Sequence, residues 1–149
     1  LSKNEVELIE TVHIKWYGSY SLNDLYNREE ASKKGIFAIF RVHANKETLL
    51  YIGKTKRHFI QKIRELNNDW FCDESELKIR LGIIEFPSGE SYSEKKVKEI
   101  KSLLILRHTP LENDTSLVYY RGKFNLKIIN KGRRGLIAKK LSTDDLMWT

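Results

Sequence analysis

Cations are the side chains in this sequence best able to do chemistry. Eight basic residues stand between Arg121 and Lys140, namely Arg121, Lys123, Lys127, Lys131, Arg133, Arg134, Lys139 and Lys140, with no acidic residue among them. That run carries +8, and since the whole chain carries +7, the remainder sums to −1. A near-neutral body with one basic arm points to a polyanion, because clustered Lys and Arg displace the counterions condensed on nucleic acid. Tyr119, Tyr120 and Phe124 supply rings close by on which bases could stack. A second group, Lys54, Lys56 and Arg57, follows Gly53 and suits phosphate contact better than packing.

Other combinations fail on their mechanics. Gly53-Lys54-Thr55 matches the end of a phosphate-binding P-loop, but the earlier glycine that loop requires would fall at Thr48. His13, His43, His58 and His108 fall on different predicted elements, so neither a metal pair nor a Cys–His nucleophile at Cys72 is supported. Trp16, Trp70 and Trp148 show no cage-like spacing, and burial is expected for the first two.

The elements that must position these residues follow from periodicity and punctuation. Val6 to Tyr20 reads as extended, and Ser21 caps a short helix over Leu22 to Ser32. Gly35 to Val42 and Thr48 to Ile52 are two apolar runs joined by the polar turn Ala44 to Glu47, a β-hairpin. Lys56 to Asn67 places Phe59, Ile60, Ile63 and Leu66 at helical spacing, Leu77 to Phe86 is a strand, and Tyr92 to His108 is a long helix stopped before Pro110. Two short extended runs, Leu117 to Tyr120 and Leu126 to Ile129, carry the basic segment. This order predicts an α/β (α+β) fold: a small antiparallel sheet with a hairpin, flanked by helices.

Composition bounds the setting. With 149 residues, 40% hydrophobic and only two prolines, one domain with a real core is expected, which excludes disordered and collagen-like classes. The single Cys72 excludes an internal disulfide. No apolar run reaches the roughly 20 residues of a membrane span, and the first residues lack the regions of a signal peptide. An intracellular location, cytoplasmic or nucleoid-associated, is therefore expected, with no membrane partner.

The hairpin carries a more specific signal. Gly35-Ile36-Phe37 on its first strand and Tyr51-Ile52-Gly53 on its second resemble the two signature tripeptides of the GIY-YIG nuclease superfamily. The resemblance continues through the helix after Lys54-Thr55, the later strand and the long helix, to Pro110 and Asn113. It divides the chain into a core over 35–113, an N-terminal extended segment with a short helix packing on that core over 1–34, and a basic C-terminal extension of the same domain over 114–149.

That resemblance implies a metal-dependent phosphodiesterase acting on DNA. Such chemistry uses a tyrosine near the attacking water, a helix arginine on the phosphate, and a helix glutamate holding a divalent ion, because negative charge gathers on the phosphoryl oxygens and the metal needs a hard oxygen ligand. Gly35, Tyr51, Gly53, Lys54 and Asn113 match the pattern, Gly35, Gly53 and Asn113 as scaffold. The departures fall on the chemistry. Phe37 replaces the first tyrosine, and Lys62 takes the arginine slot, with Arg64 in reach on a shifted register. Lys101 takes the glutamate slot, unless a slip of register brings Glu99 or Glu94 there.

Three readings follow. The first is a nuclease-like domain, catalytically impaired or inactive, that binds DNA foremost and RNA secondarily through Lys54, Lys56, Arg57, Arg121, Lys123, Lys131, Arg133 and Arg134, with no cofactor expected. The second is an active endonuclease with Mg²⁺ or Mn²⁺ on Glu99 or Glu94, Arg64 on the phosphate and Tyr51 as base. The third is a protein-interaction module for an acidic partner. In the first, the basic segment is expected beside the hairpin cleft.

Overall fold

A strand whose first six residues are all buried must lie between two covering layers, and β2 (Gly35–His43) is such a strand. It pairs antiparallel with β3 (Lys46–Thr55) on one side and β4 (Leu77–Glu85) on the other. β1 (Glu10–Tyr20), β5 (Leu126–Gly132) and β6 (Lys140–Ser142) complete a six-stranded sheet in the order β3-β2-β4-β1-β5-β6. The computed structural model describes residues 9–66, 76–86, 90–113 and 124–146. Trp70, Cys72, Trp148, Arg121, Lys123 and the run 117–120 lie outside them.

Helices cover both faces. On one, α1 (Leu22–Leu25), a 3₁₀ turn (Glu29–Ser32) and α2 (Phe59–Glu65) set Leu25, Ala31, Phe59 and Ile63 against Phe37, Ile39, Leu50, Ile79 and Leu81. On the other, α3 (Glu94–His108) sets Val97, Ile100, Leu103 and Leu104 against Val12, Ile14, Trp16, Ile36, Ala38 and Phe40. A short α4 (Thr143–Leu146) follows β6. Among the described residues no helix is long and apolar enough to cross a membrane.

Two expectations are corrected. The sheet is mixed, not wholly antiparallel, because β1 and β5 run parallel over Glu10–Trp16 and Leu126–Gly132, a pairing too distant in sequence to leave a hairpin signal. In the N-terminal segment, α1 and the 3₁₀ turn pack on the core through Leu25 and Ala31, and strand β1 lies inside the sheet between β4 and β5. The helix expected over Leu22 to Ser32 stops at Leu25, although Ser21 does cap it by accepting from the Asp24 N–H at 3.1 Å. Tertiary contacts hold the rest: the Tyr20 hydroxyl donates to Glu30 at 2.7 Å, and the Arg28 guanidinium lies 4.9 Å from the Tyr20 ring centre.

The hairpin is tighter than its sequence suggests. Ala44 and Asn45, at φ 50° and 66°, form a two-residue turn whose hand matches the strand twist. The outer edge of β3 is closed by the chain after α3, where the Leu111 N–H donates to the Leu49 carbonyl at 3.3 Å and the Glu112 N–H to the Leu50 carbonyl at 2.7 Å. Asn113 completes the clasp. Its Oδ1 accepts from the Ile52 N–H at 2.8 Å, and its Nδ2 donates to the Ile52 carbonyl at 2.9 Å. On the opposite flank of the same helix end, His108 donates from Nδ1 to the Leu104 carbonyl and accepts at Nε2 from the Ala138 N–H, both at 2.9 Å.

Two outcomes are expected. Asn113→Ala removes both bonds to Ile52 and should cost about 2 kcal/mol, at about 1 kcal/mol per bond, read from urea unfolding. His108 must be neutral to accept from Ala138, and burial pushes its pKa down, so the unfolded chain takes up the proton first as pH falls. Stability should therefore be complete above about pH 6.5 and decline below it towards the lowered folded pKa. His108→Gln should lose stability at neutral pH and flatten that decline.

Candidate functional site

Lys54 stands near the end of β3, paired with Ile36, on the sheet face that α3 covers. Glu94, Lys98 and Lys101 recur at four- and three-residue spacing, so they share one side of α3. The Glu94 carboxylate lies 3.9 Å from the Lys54 ammonium. Lys101 is half-buried, and its pKa is pushed down first by burial and then by the charges of Lys54, Lys62 and Lys98. Lys62 belongs to α2, on the other face. Cations from β3, α2 and α3 thus act on Lys101 near the end of the β3 edge. Among the described residues, neither Lys62 nor Lys101 has an ion-pair partner.

The aromatic positions are scaffold first. Phe37 is fully buried, its ring centre 6.0 Å from that of Tyr51 and 6.4 Å from that of Phe59, the latter edge-on. Gly53 faces Phe37 across the hairpin, and a Cβ there would collide with the Phe37 ring. Gly35, at φ 146°, passes so close to the Gly82 carbonyl that a side chain would strike it. Tyr51 is half-buried, and burial raises its pKa, so its hydroxyl keeps its proton at neutral pH. That direction is opposite to what a general base needs.

Contacts separate the alternatives that the sequence left open. Lys62, not Arg64, belongs to the cationic group, because the Arg64 guanidinium is 4.8 Å from the Tyr26 ring centre on the exposed side of α2. Lys101 and Glu94 face Lys54, whereas Glu99 accepts from the Phe124 N–H at 2.9 Å. Asn113 acts on the β3 backbone. The structure sets Glu94 beside Lys54, brings the charges of Lys54 and Lys62 to bear on Lys101, and leaves Arg64 and Glu99 in other contacts.

The basic C-terminal segment is not beside this group, as far as it lies within the described residues. β5 and β6 occupy the edge of the sheet opposite β3. Lys131 pairs with Glu85 at 2.7 Å, and Arg134 donates to the Ile137 carbonyl at 2.7 Å. The Arg133 N–H donates to the Trp16 carbonyl at 2.9 Å, and its own carbonyl accepts from Arg80 at 2.8 Å. Arg80 also donates to Glu47, at 3.0 Å from Nη2, which ties this loop to the turn end of the hairpin, while Lys54 stands at the other end of β3. Sequence pattern fixes the charge of such a segment, not its place.

Sequence reasoning passed over Lys33, Lys34 and Tyr92. The Tyr92 hydroxyl donates to the Thr55 carbonyl at 3.3 Å, and the Lys34 ammonium lies 4.1 Å from the Tyr92 ring centre. The adjacency of Lys33-Lys34 to Gly35 was a usable signal. Arg57, which was expected on phosphate, pairs with Glu65 at 2.5 Å, and Lys56 is exposed. Comparisons of this chain with protein-family models, with curated proteins and with solved structures find no match.

A charged Lys101 opposes folding. Its folded pKa lies below the ordinary lysine value, so stability rises where the ammonium deprotonates and is reduced at lower pH, where it is charged. Lys101→Gln should therefore stabilise the protein at pH 7 by about 0.5 kcal/mol, the scale of neighbouring like charges near a surface. Thermal unfolding of both proteins checks the sign.

Proposed function

We propose that this domain binds nucleic acid, DNA foremost and RNA secondarily, through a GIY-YIG nuclease-like core whose catalytic positions are impaired for metal-assisted cleavage. The observation that carries the reading is that half-buried Lys101 of α3, Lys54 of β3 and Lys62 of α2 share the end of the β3 edge closely enough for the last two to depress the Lys101 pKa. Their mutual repulsion is a cost to folding that a polyanion relieves, since each phosphodiester brings one negative charge to the group. A divalent ion at the same place requires hard oxygen ligands, and the Lys101 ammonium repels it. Phe37 has no hydroxyl, and the Tyr51 hydroxyl is held protonated, so neither helps to activate water.

One observation favours a second reading. Glu94 places a carboxylate 3.9 Å from Lys54, and a divergent endonuclease would hold Mg²⁺ or Mn²⁺ there with Lys62 on the scissile phosphate. One protein carboxylate beside several ammonium groups makes this the weaker reading.

Fluorescence anisotropy with single- and double-stranded oligonucleotides, alongside plasmid nicking, tests the proposal. Lys54→Gln, Lys62→Gln and Lys101→Gln should each weaken binding across all sequences and flatten the slope of log affinity against log salt by about one unit. The wild type should not nick plasmid with Mg²⁺ or Mn²⁺, and Lys101→Glu should gain Mn²⁺ binding by calorimetry. Unchanged slopes in all three Gln variants would overturn the binding reading. Chelator-sensitive nicking that disappears in Glu94→Ala would establish the endonuclease instead.

A further inference from the structure

A second cleft, of about 450 Å³, opens where β2 begins and β3 ends. Lys33 and Lys34, before β2, form one wall, and Lys56, Arg57 and His58, after β3, form the other. Ile83 and Ile84 of β4 contribute to its lining, and Tyr92 closes one side. The volume lies within the range of small-molecule sites, and the walls are cationic with no acidic side chain among the lining residues.

The two walls are tied to each other. The Phe59 N–H donates to the Lys33 carbonyl at 2.9 Å, and the His58 ring bonds the Ser32 carbonyl through Nδ1. Behind the second wall, the Arg57 N–H donates to Thr55 Oγ1 at 3.1 Å, and the Thr55 carbonyl accepts from Tyr92. The backbone that carries the lysines is thus held in place before any ligand arrives. Among the described residues, Lys33 and Lys56 have no ion-pair partner, whereas Arg57 has Glu65 and Lys34 lies on the Tyr92 ring.

Charge matching selects the ligand. An internal phosphodiester is a monoanion that a row of surface lysines can track, but several cations converging on one small cleft suit a phosphomonoester, which approaches two negative charges at pH 7 and offers three acceptor oxygens. The apolar part of the lining, with the Tyr92 ring, suits the uncharged body that carries the phosphate. We infer that this cleft binds a nucleoside phosphomonoester, which is the terminal phosphate of a nucleic-acid strand if the function proposed above holds. The inference rests on that function only for the identity of the carrier.

The test measures anisotropy of oligonucleotides that differ only in a 5′-phosphate, a 3′-phosphate or hydroxyl ends, and calorimetry of adenosine 5′-monophosphate against adenosine. One phosphorylated end should bind about tenfold tighter than the hydroxyl end, and the preference should fade below about pH 6 as the monoester takes up a proton. Lys33→Gln combined with Lys34→Gln, both at exposed positions, should abolish the preference, whereas Lys101→Gln should weaken phosphate- and hydroxyl-ended strands alike. Equal affinity for phosphate and hydroxyl ends, or a preference that survives the Lys33 and Lys34 changes, would overturn the inference while nucleic-acid binding stood. Saturable binding of the mononucleotide, lost in the Lys33 and Lys34 variant, without affinity for any oligonucleotide would keep the cleft and remove the nucleic-acid function.

Discussion

Helix α3 is anchored at its C-terminal end to strand β3 and to the loop between β5 and β6, and the arrangement of the rest depends on that anchorage. On one flank the chain that leaves the helix joins β3, through the Leu111 and Glu112 N–H groups and the paired amide bonds of Asn113. On the other flank His108 accepts from Ala138, beyond β5. Near its N-terminal end, Lys96 is buried between the carboxylates of Glu10 on β1 and Glu90, at 2.7 and 2.8 Å, with its ammonium 5.4 Å from the Phe124 ring centre. A helix fixed at both ends can present only one face to β3. That face holds Glu94 and Lys101.

The same anchorage explains why like charges persist in close company. A lone surface helix could turn or fray to separate Lys101 from Lys54 and Lys62, but α3 has Val97, Ile100, Leu103 and Leu104 fully buried and cannot do so without exposing them. Burial of one such side chain contributes about 1.5–3 kcal/mol, several times the cost of a half-exposed pair of like charges. The core therefore decides the geometry, and electrostatics accommodates it. In the function proposed for this domain, a polyanion relieves that repulsion.

On the other face, the close packing of the hairpin depends on absent side chains. Gly53 leaves room for the Phe37 ring, and Gly35 leaves room for the Gly82 carbonyl. These approaches draw the start of β2 and the end of β3 together, so that the basic residues flanking them, Lys33 and Lys34 on one side and Lys56 and Arg57 on the other, line one cleft.

Local pattern was enough for the hairpin, the long helix, the Ser21 cap and the polarity of the chain, because each depends on neighbours within a few residues. It also confined the site to a few positions, Lys62 or Arg64 and Lys101, Glu99 or Glu94, without choosing among them. Choosing required contacts made across the fold: Tyr26 draws off Arg64, the Phe124 N–H takes Glu99, and Lys54 meets Glu94 and Lys101. The parallel pairing of β1 with β5 and the ion pair of Lys96 with Glu10 were beyond reach for the same reason, since the partners are separated by more than a hundred residues and by 86. The sequence by itself determined the hairpin, the long helix and the basic charge of the chain; only the tertiary structure decided where the remaining elements lie and which cations act on one another, because side-chain proximity is set by packing that no local period encodes.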